Sequence, residues 1–219
     1  MEEHYIIAVM HQKGGVAKST TVINLASLLK ADNVIDVDPQ GTITKFNRLR
    51  PEPFNVINIQ TIDALIKFLK QKQDAKELTI IDTGGFESNV GDAILTAADL
   101  IITPLYDNKP ELMGLMTFNE IIAKVAARTG KKLKANVVLT KIKPQRHLFD
   151  DTFNFINKLD YCSPMKSVIK ERGVIADAWS KCLGVHEYKD YRKSESNSYE
   201  LAVKEMKTLA EEVRSLMTK

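Results

Sequence analysis

The chain has 219 residues, 44% hydrophobic and 27% charged, with a formal net charge of +3. Those proportions describe an ordinary globule, large enough to bury a substantial core in one domain. No apolar run approaches the ~20 residues that a membrane span needs. The acidic start, Met1-Glu2-Glu3-His4, passes at once into an apolar run, so no signal peptide is expected. The only two cysteines, Cys162 and Cys182, form no CxxC, which fits a reducing cytoplasm and argues against a metal or disulfide framework. The charge is uneven: residues 1–119 balance to −4 and residues 120–219 to +7. The imbalance is either ordinary surface variation or the mark of a polyanion partner for the second half.

Residues 5–10 read as a buried strand, and residues 21–29 as a helix with one apolar face. Between them lies Lys13-Gly14-Gly15-Val16-Ala17-Lys18-Ser19-Thr20. A strand, a glycine-bearing turn and a helix N-terminus in this order gather backbone N–H groups around a phosphate chain. Lys18 would then neutralise the terminal phosphates and the Ser19 hydroxyl would meet Mg2+. The usual pattern G-x-x-x-x-G-K-[ST] is not met. Gly15 stands only three residues before Lys18, Ala17 takes the second glycine's place, and a second lysine, Lys13, guards the entrance. Because alanine resists positive φ, a right-handed or extended backbone is expected at Ala17, with turnover altered rather than binding lost.

Residues 33–38 form a short strand ending in Asp36 and Asp38, followed by Pro39-Gln40-Gly41. Ligands of open α/β sheets bind at the carboxyl ends of the strands, so both carboxylates are expected to face the phosphates. Residues 42–60, with Pro51 and Pro53, read as an irregular surface excursion. Residues 62–71 carry Ile62, Leu65, Ile66 and Leu69 at helical spacing. Residues 78–82 are a strand closing on Asp82, a carboxylate placed to hold Mg2+ through water, with Thr83-Gly84-Gly85 as a hinge-like turn.

The alternation continues with a helix at 89–98, a strand at 100–103 stopping at Pro104, a helix at 111–128 containing Gly114, and a strand at 135–140. It implies an α/β fold with a doubly wound, mostly parallel sheet flanked by helices. A helix is expected at 148–159, then basic stretches at 165–172 and 188–194. The last helix, 199–217, lines up Tyr199, Val203, Met206, Leu209, Ala210, Val213, Leu216 and Met217. Its polar face mixes acids and bases, so it is expected to dock on the sheet rather than on a membrane.

KGGVAKST resembles the deviant Walker A box, K-G-G-x-x-K-[ST], of the ParA/MinD ATPases, and the likeness extends over nearly the whole chain. Asp36 and Asp38 match that family's D-x-D-P-Q box, and Asp82 matches its Walker B carboxylate. The resemblance implies that residues 13–20 bind ATP, with Lys13, Lys18 and Asp38 as the catalytic set. Lys13 would reach the nucleotide of a partner subunit across an ATP-held homodimer. Asp38 would polarise the attacking water. Ser19, Asp36 and Asp82 would hold Mg2+, Asp36 from behind by supporting either the cation or Ser19. Residues 42–60 would lie near the dimer face, the 104–114 turn would line it, and Lys141 would flank the adenine.

The order of elements after residue 148 is similar to that of plasmid and chromosome partition ATPases. It implies one P-loop domain over 1–219, with a nucleotide half (1–119) and a basic half (120–219). Lys170, Arg172, Arg192 and Lys193 are the candidates for contact with non-specific double-stranded DNA in the ATP state. The implied protein is a slow cytoplasmic, nucleoid-associated ATPase stimulated by a ParB-like or ribbon-helix-helix adaptor. It starts at its first strand and is expected to lack the helix-turn-helix of longer relatives. Positioning of another cargo, such as carboxysomes, would share every residue named. A membrane-cycling MinD-like role or a non-enzymatic binding module are further rivals. A metal-carrying or anion-pump relative would need paired cysteines.

Overall fold

The computed structural model describes residues 5–71, 75–84, 89–189 and 196–218. In chain order the elements are β1 (Tyr5–Val9), α1 (Lys18–Leu29), β2 (Asn33–Asp36), α2 (Thr42–Arg48), β3 (Val56–Asn58), α3 (Ile62–Gln71), β4 (Leu78–Asp82) and α4 (Asn89–Ala97). They continue with β5 (Leu100–Tyr106), α5 (Lys109–Thr129), β6 (Ala135–Ile142), α6 (Asp150–Asn157), β7 (Cys162–Lys170), α7 (Gly173–Ser180) and α8 (Ser196–Met217).

Runs such as Leu78-Thr79-Ile80-Ile81-Asp82 are buried on both faces, as strands covered by helices on each side must be. All six ladders are parallel, and the strand order is β3-β2-β4-β1-β5-β6-β7. One core contains Val22 and Ile23 of α1, Phe46 of α2, Val174 of α7 and Met206 of α8. The other contains Leu65 of α3, Ile94 of α4, Phe118 of α5 and Ile156 of α6. The doubly wound α/β sheet is thus the observed fold, with β1 at its centre and residues from both halves of the chain in one sheet.

The structure departs from the sequence reading in three places. Residues 42–60 are not irregular throughout, because they form α2 and the edge strand β3. The helix has only seven residues, too few for a periodicity signal, and is fixed by burying Ile43 and Phe46. Strand β5 does not stop at Pro104 but runs on to Tyr106. The carbonyl of Ile102 accepts from Met10 N on the β1 side, so the Pro104 nitrogen, two residues on, faces the same side beyond the last residue of β1. No ladder donor is lost there. Helix α6 is shorter than the 148–159 expected, leaving Leu148 79% exposed in the preceding loop.

Strand β7 is a sheet edge, and α8 lies along it. Glu212 accepts from Lys166 N, Ser167 N and Ser167 Oγ, while Glu205 accepts from Lys170 N. The carboxylates occupy donors that an open edge would offer to another chain. The apolar stripe of α8 is spent in the same packing: Met206, Leu209, Ala210 and Val213 are buried, with Tyr199, Val203, Leu216 and Met217 packed on the same core.

Candidate nucleotide site

The carboxyl ends of β1, β2 and β4 bring the predicted residues together. β1 delivers the loop 10–17, whose last residue, Ala17, caps α1 in the left-handed region at φ 71°, ψ 29°. The expectation of a right-handed or extended Ala17 is therefore wrong. The loop closes through αL at two points, Gly15 (φ 80°) and Ala17, and only the first is a glycine. Two tertiary bonds and a local one hold that strain: the Thr140 hydroxyl donates to Val16 O and Lys141 Nζ to Gly15 O, while in the first turn of α1 the Thr21 hydroxyl donates to Ala17 O. Lys141 also has positive φ (53°), so a second strained residue sits where β6 meets the loop.

Lys18 is buried, and its Nζ donates to Lys13 O at 2.9 Å, curling the side chain back over the loop. Burial lowers its pKa, against the opposing charges of Asp82, Asp38 and Glu111. The Ser19 hydroxyl donates to Asp82 Oδ2 at 2.7 Å. The other oxygen, Asp82 Oδ1, is buried without a hydrogen-bond partner. Burial pushes this carboxyl up to about 7; the Ser19 bond and Lys18 oppose the shift, while Asp36 and Asp38 add to it.

An orphaned carboxylate oxygen beside a serine hydroxyl fits a hydrated divalent cation. Among the described residues no group of three His, Cys, Asp or Glu could hold a metal by itself. The remaining ligands would have to be phosphate oxygens and water, the set that Mg2+ prefers.

Asp36 and Asp38 part company. Asp36 is fully buried and turned into α2, where Oδ2 accepts from Thr44 N and Thr44 Oγ1 and Oδ1 accepts from Asp38 N. It holds the turn and the start of α2, and its recorded partners do not include Ser19. Asp38 accepts from Gln40 N at 2.9 Å and lines a cavity of about 610 Å³ with Gln12, Gln40, Thr83 and Gly84. A Cβ at Gly84 would come within 3.2 Å of Asp38 Oδ1 and 3.3 Å of Asp38 Cα, so glycine lets the end of β4 approach this turn.

The Lys13 side chain turns to α5. Its ammonium donates to Pro110 O, lies 3.9 Å from Glu111 Oε1, and its methylenes lie over Gly114. The loop entrance thus contacts the first turns of α5, which Asn108 caps by accepting from Glu111 N.

On the other flank of the loop is a second cavity, about 510 Å³, lined by Thr20, Thr140, Lys141, Arg172, Trp179 and Met206 among others. Two of the DNA candidates are here. Lys170 Nζ donates to Arg146 O, and Arg172 Nη2 donates to Glu205 Oε1 at 2.6 Å with only 11% of its side chain exposed. Arg192 and Lys193 lie outside the described residues.

The sequence reading missed His11 and Glu205. The His11 ring is fully buried; Nδ1 accepts from Lys13 N, and Nε2 is unpaired. Burial, with the Lys18 charge second, holds its pKa down at about 4, so a neutral ring props the loop. Its place beside Gln12-Lys13 was a visible signal. Glu205, one of several acids on a mixed helix face, gave none.

Comparison with known proteins agrees with the fold. ParA of Rhizobium radiobacter is 24% identical over 145 residues, 64% of this chain and 65% of that protein, so the match spans just under two thirds of the relative. The maintenance of carboxysome distribution protein A of Gloeobacter kilaueensis is 24% identical over 187 residues, 83% of this chain and 79% of that protein. The fold matches the septum site-determining protein MinD of Pyrococcus horikoshii, solved with Mg-ADP. The TM-score is 0.69 at 16% identity, over 98% of this chain and 97% of that one. Residues 7–178, about four-fifths of the chain, match the family described as the CobQ/CobB/MinD/ParA nucleotide binding domain, and the chain belongs to that family.

Proposed function

We propose that the protein is a Mg2+-dependent ATPase that dimerises on ATP. The observation that carries this reading is the Ser19–Asp82 pair, with its unpaired buried oxygen, at the foot of a loop bearing Lys18. ATP would lie along residues 13–20, its terminal phosphates toward Lys18 and the Asp38 cavity, its base toward the Trp179 cavity. Mg2+, when bound, lowers the charge on the phosphates. The chain's own residues do the rest. Ser19 and Asp82 would hold the cation, the Lys18 ammonium would turn from Lys13 O to the phosphate oxygens, and Asp38 would hold the water for in-line attack. Asp36 acts by fixing Asp38 and α2. Lys13 would leave Pro110 and Glu111 to reach a partner's phosphates.

The finer reading is partition: binding of non-specific DNA by the ATP dimer, with hydrolysis stimulated by a ParB-like or ribbon-helix-helix adaptor. It is supported by the likeness to ParA and by the +7 balance of residues 120–219. Arg172 supports it less, since it is paired with Glu205 inside the fold, while the Lys170 ammonium sits on Arg146 O at the surface. Lys170, Arg192 and Lys193 remain the DNA candidates. Positioning of a protein cargo on the nucleoid is the second reading, favoured by the longer match to the carboxysome-distribution relative. A membrane-surface role is disfavoured because α8 has its apolar stripe in the core.

The test combines phosphate release from Mg2+-ATP, sedimentation with ATPγS or ADP, and anisotropy of a random-sequence duplex at two salt concentrations. Hydrolysis abolished by Lys18→Ala, a dimer only with ATPγS, and salt-sensitive DNA binding only with ATPγS are expected. Hydrolysis and dimerisation without DNA binding would remove the partition reading and leave the ATPase. Neither hydrolysis nor a nucleotide-dependent dimer would remove both.

A further inference from the structure

The cavity on the α7–α8 side has a wall that does not belong to the phosphate loop: the end of β7 and its turn, Ile169 to Gly173, backed by Met206 of α8. One carboxylate holds that wall. Glu205 Oε2 accepts from Lys170 N at 3.0 Å and from Arg172 Nε at 3.4 Å, and Glu205 Oε1 accepts from Arg172 Nη2 at 2.6 Å. Both side chains are more than four-fifths buried, so the pair is shielded from solvent and fixed in one geometry. Lys170 is tied down again by its ammonium on Arg146 O, with Phe149 beneath it.

We infer that Glu205 is a positioning residue for nucleotide binding: from α8 it fixes the Lys170–Arg172 wall of the cavity that takes the nucleoside. The inference rests on the nucleotide-binding reading and adds to it an acidic residue outside the three sequence boxes. Arg172 becomes part of this wall rather than a contact for DNA. Removing the Glu205 charge leaves a largely buried Arg172 without its counter-ion and Lys170 N without its acceptor. The wall then loses its set position, and the cost falls on binding rather than on the chemistry at Asp38.

The same helix supplies the control. Glu212 accepts from Lys166 N and Ser167 N of the same strand edge, and neither of those residues lines the cavity. A merely structural role in clamping α8 to β7 would be shared by both glutamates.

The experiment measures the ATPγS dissociation constant by calorimetry for wild type, Glu205→Gln and Glu212→Gln. Alongside it, energy transfer is read from Trp179, the only tryptophan of the chain, to mant-labelled ATPγS. Glu205→Gln should weaken binding about tenfold and raise KM for ATP with kcat within about twofold, while Glu212→Gln stays within about twofold of wild type. Should Glu205→Gln not fold, Arg172→Met/Glu205→Met removes both charges together and should show the same loss. Equal affinity in wild type and the Glu205 variant, equal losses in the Glu205 and Glu212 variants, or tight binding without energy transfer would overturn the inference while leaving nucleotide binding intact. No binding by wild type would overturn the nucleotide reading itself.

Discussion

The two flanks of the phosphate loop are built differently. On the β2–β4 side, Asp36 and Asp82 end neighbouring strands, and Asp38, two residues past β2, faces an open cavity. On the β6–β7 side, the cations Lys141, Lys170 and Arg172 border a cavity but are engaged by Gly15 O, Arg146 O and Glu205. The first flank leaves Asp82 Oδ1 unpaired and so retains capacity for a cation. The second has Arg172 paired with Glu205 inside the fold and the Lys141 and Lys170 ammoniums seated on backbone carbonyls at the surface, and it shapes a binding wall. A charge count sees acids on one side and bases on the other, whereas the hydrogen bonds show which are available to a ligand.

The sharpest way to break this contrast is Lys18→Ala. If the first flank does the chemistry, removing the buried ammonium should lower hydrolysis at least a hundredfold, as loss of a preorganised charge contact does. Phosphate release under saturating ATP measures it. Next comes Gly84→Ala, whose added methyl would press on Asp38 at 3.2–3.3 Å, against backbone as well as carboxylate. Displacing the residue that positions water should slow hydrolysis roughly ten- to a hundredfold while ATPγS affinity stays near wild type. An equal loss of affinity would show that the Asp38 turn shapes binding as well, and the two flanks would no longer divide the work.

The contrast also explains what was legible in the sequence. The first flank is made of contiguous boxes, each a strand followed by a turn, so periodicity and spacing place Lys18, Ser19, Asp38 and Asp82 at one end of the sheet. The expectation at Ala17 failed because local preference was weighed without the bonds from Thr140, Lys141 and Thr21 that hold the strained loop. α2 and β3 are too short to show a period, and Pro104 reads as a stop in sequence because the shorter reach of β1 is a tertiary fact. On the second flank, Glu205 lies 33 residues from Arg172, and no local pattern relates them. Residues 170 and 172 looked like a basic surface because their partners are remote.

A third test uses pH on the nucleotide-free, metal-free protein. With Asp82 raised to about 7 from 3.8, the folded state keeps a proton that the unfolded state has lost, so stability falls as pH rises across that window. With His11 lowered to about 4 from 6.5, the unfolded state takes a proton that the folded state refuses, so stability falls as pH drops across 6.5 to 4. The two slopes oppose each other between pH 4 and 6.5. Urea midpoints should therefore vary little there for wild type. Asp82→Asn should expose a rise in stability from pH 4 to 6.5, and His11→Asn a fall from pH 4 to 7, each up to ~1.4 kcal/mol per pH unit. Parallel profiles for the two variants would mean that the buried groups of the first flank do not set the pH dependence.

The smallest effect concerns Lys13, a cation of the first flank held in the manner of the second, by the carbonyl of Pro110 and by Glu111. Gly114→Ala would place a methyl 3.1 Å from Lys13 Cε, and a lysine stem 39% exposed can swing aside. Two effects then compete. Alanine in a helix interior is worth ~1 kcal/mol over glycine, and the displaced surface contact is worth less, ~0.5 kcal/mol. The net expectation is a Tm raised by a degree or two and a Lys13 freed from α5, with the ATPγS dimer forming at lower protein concentration if Lys13 works in trans. A lowered Tm would mean that the Lys13 contact with α5 is worth more than an exposed ion pair. Lys13 would then belong with the satisfied charges, and the dimer would have to overcome that contact before any phosphate is reached.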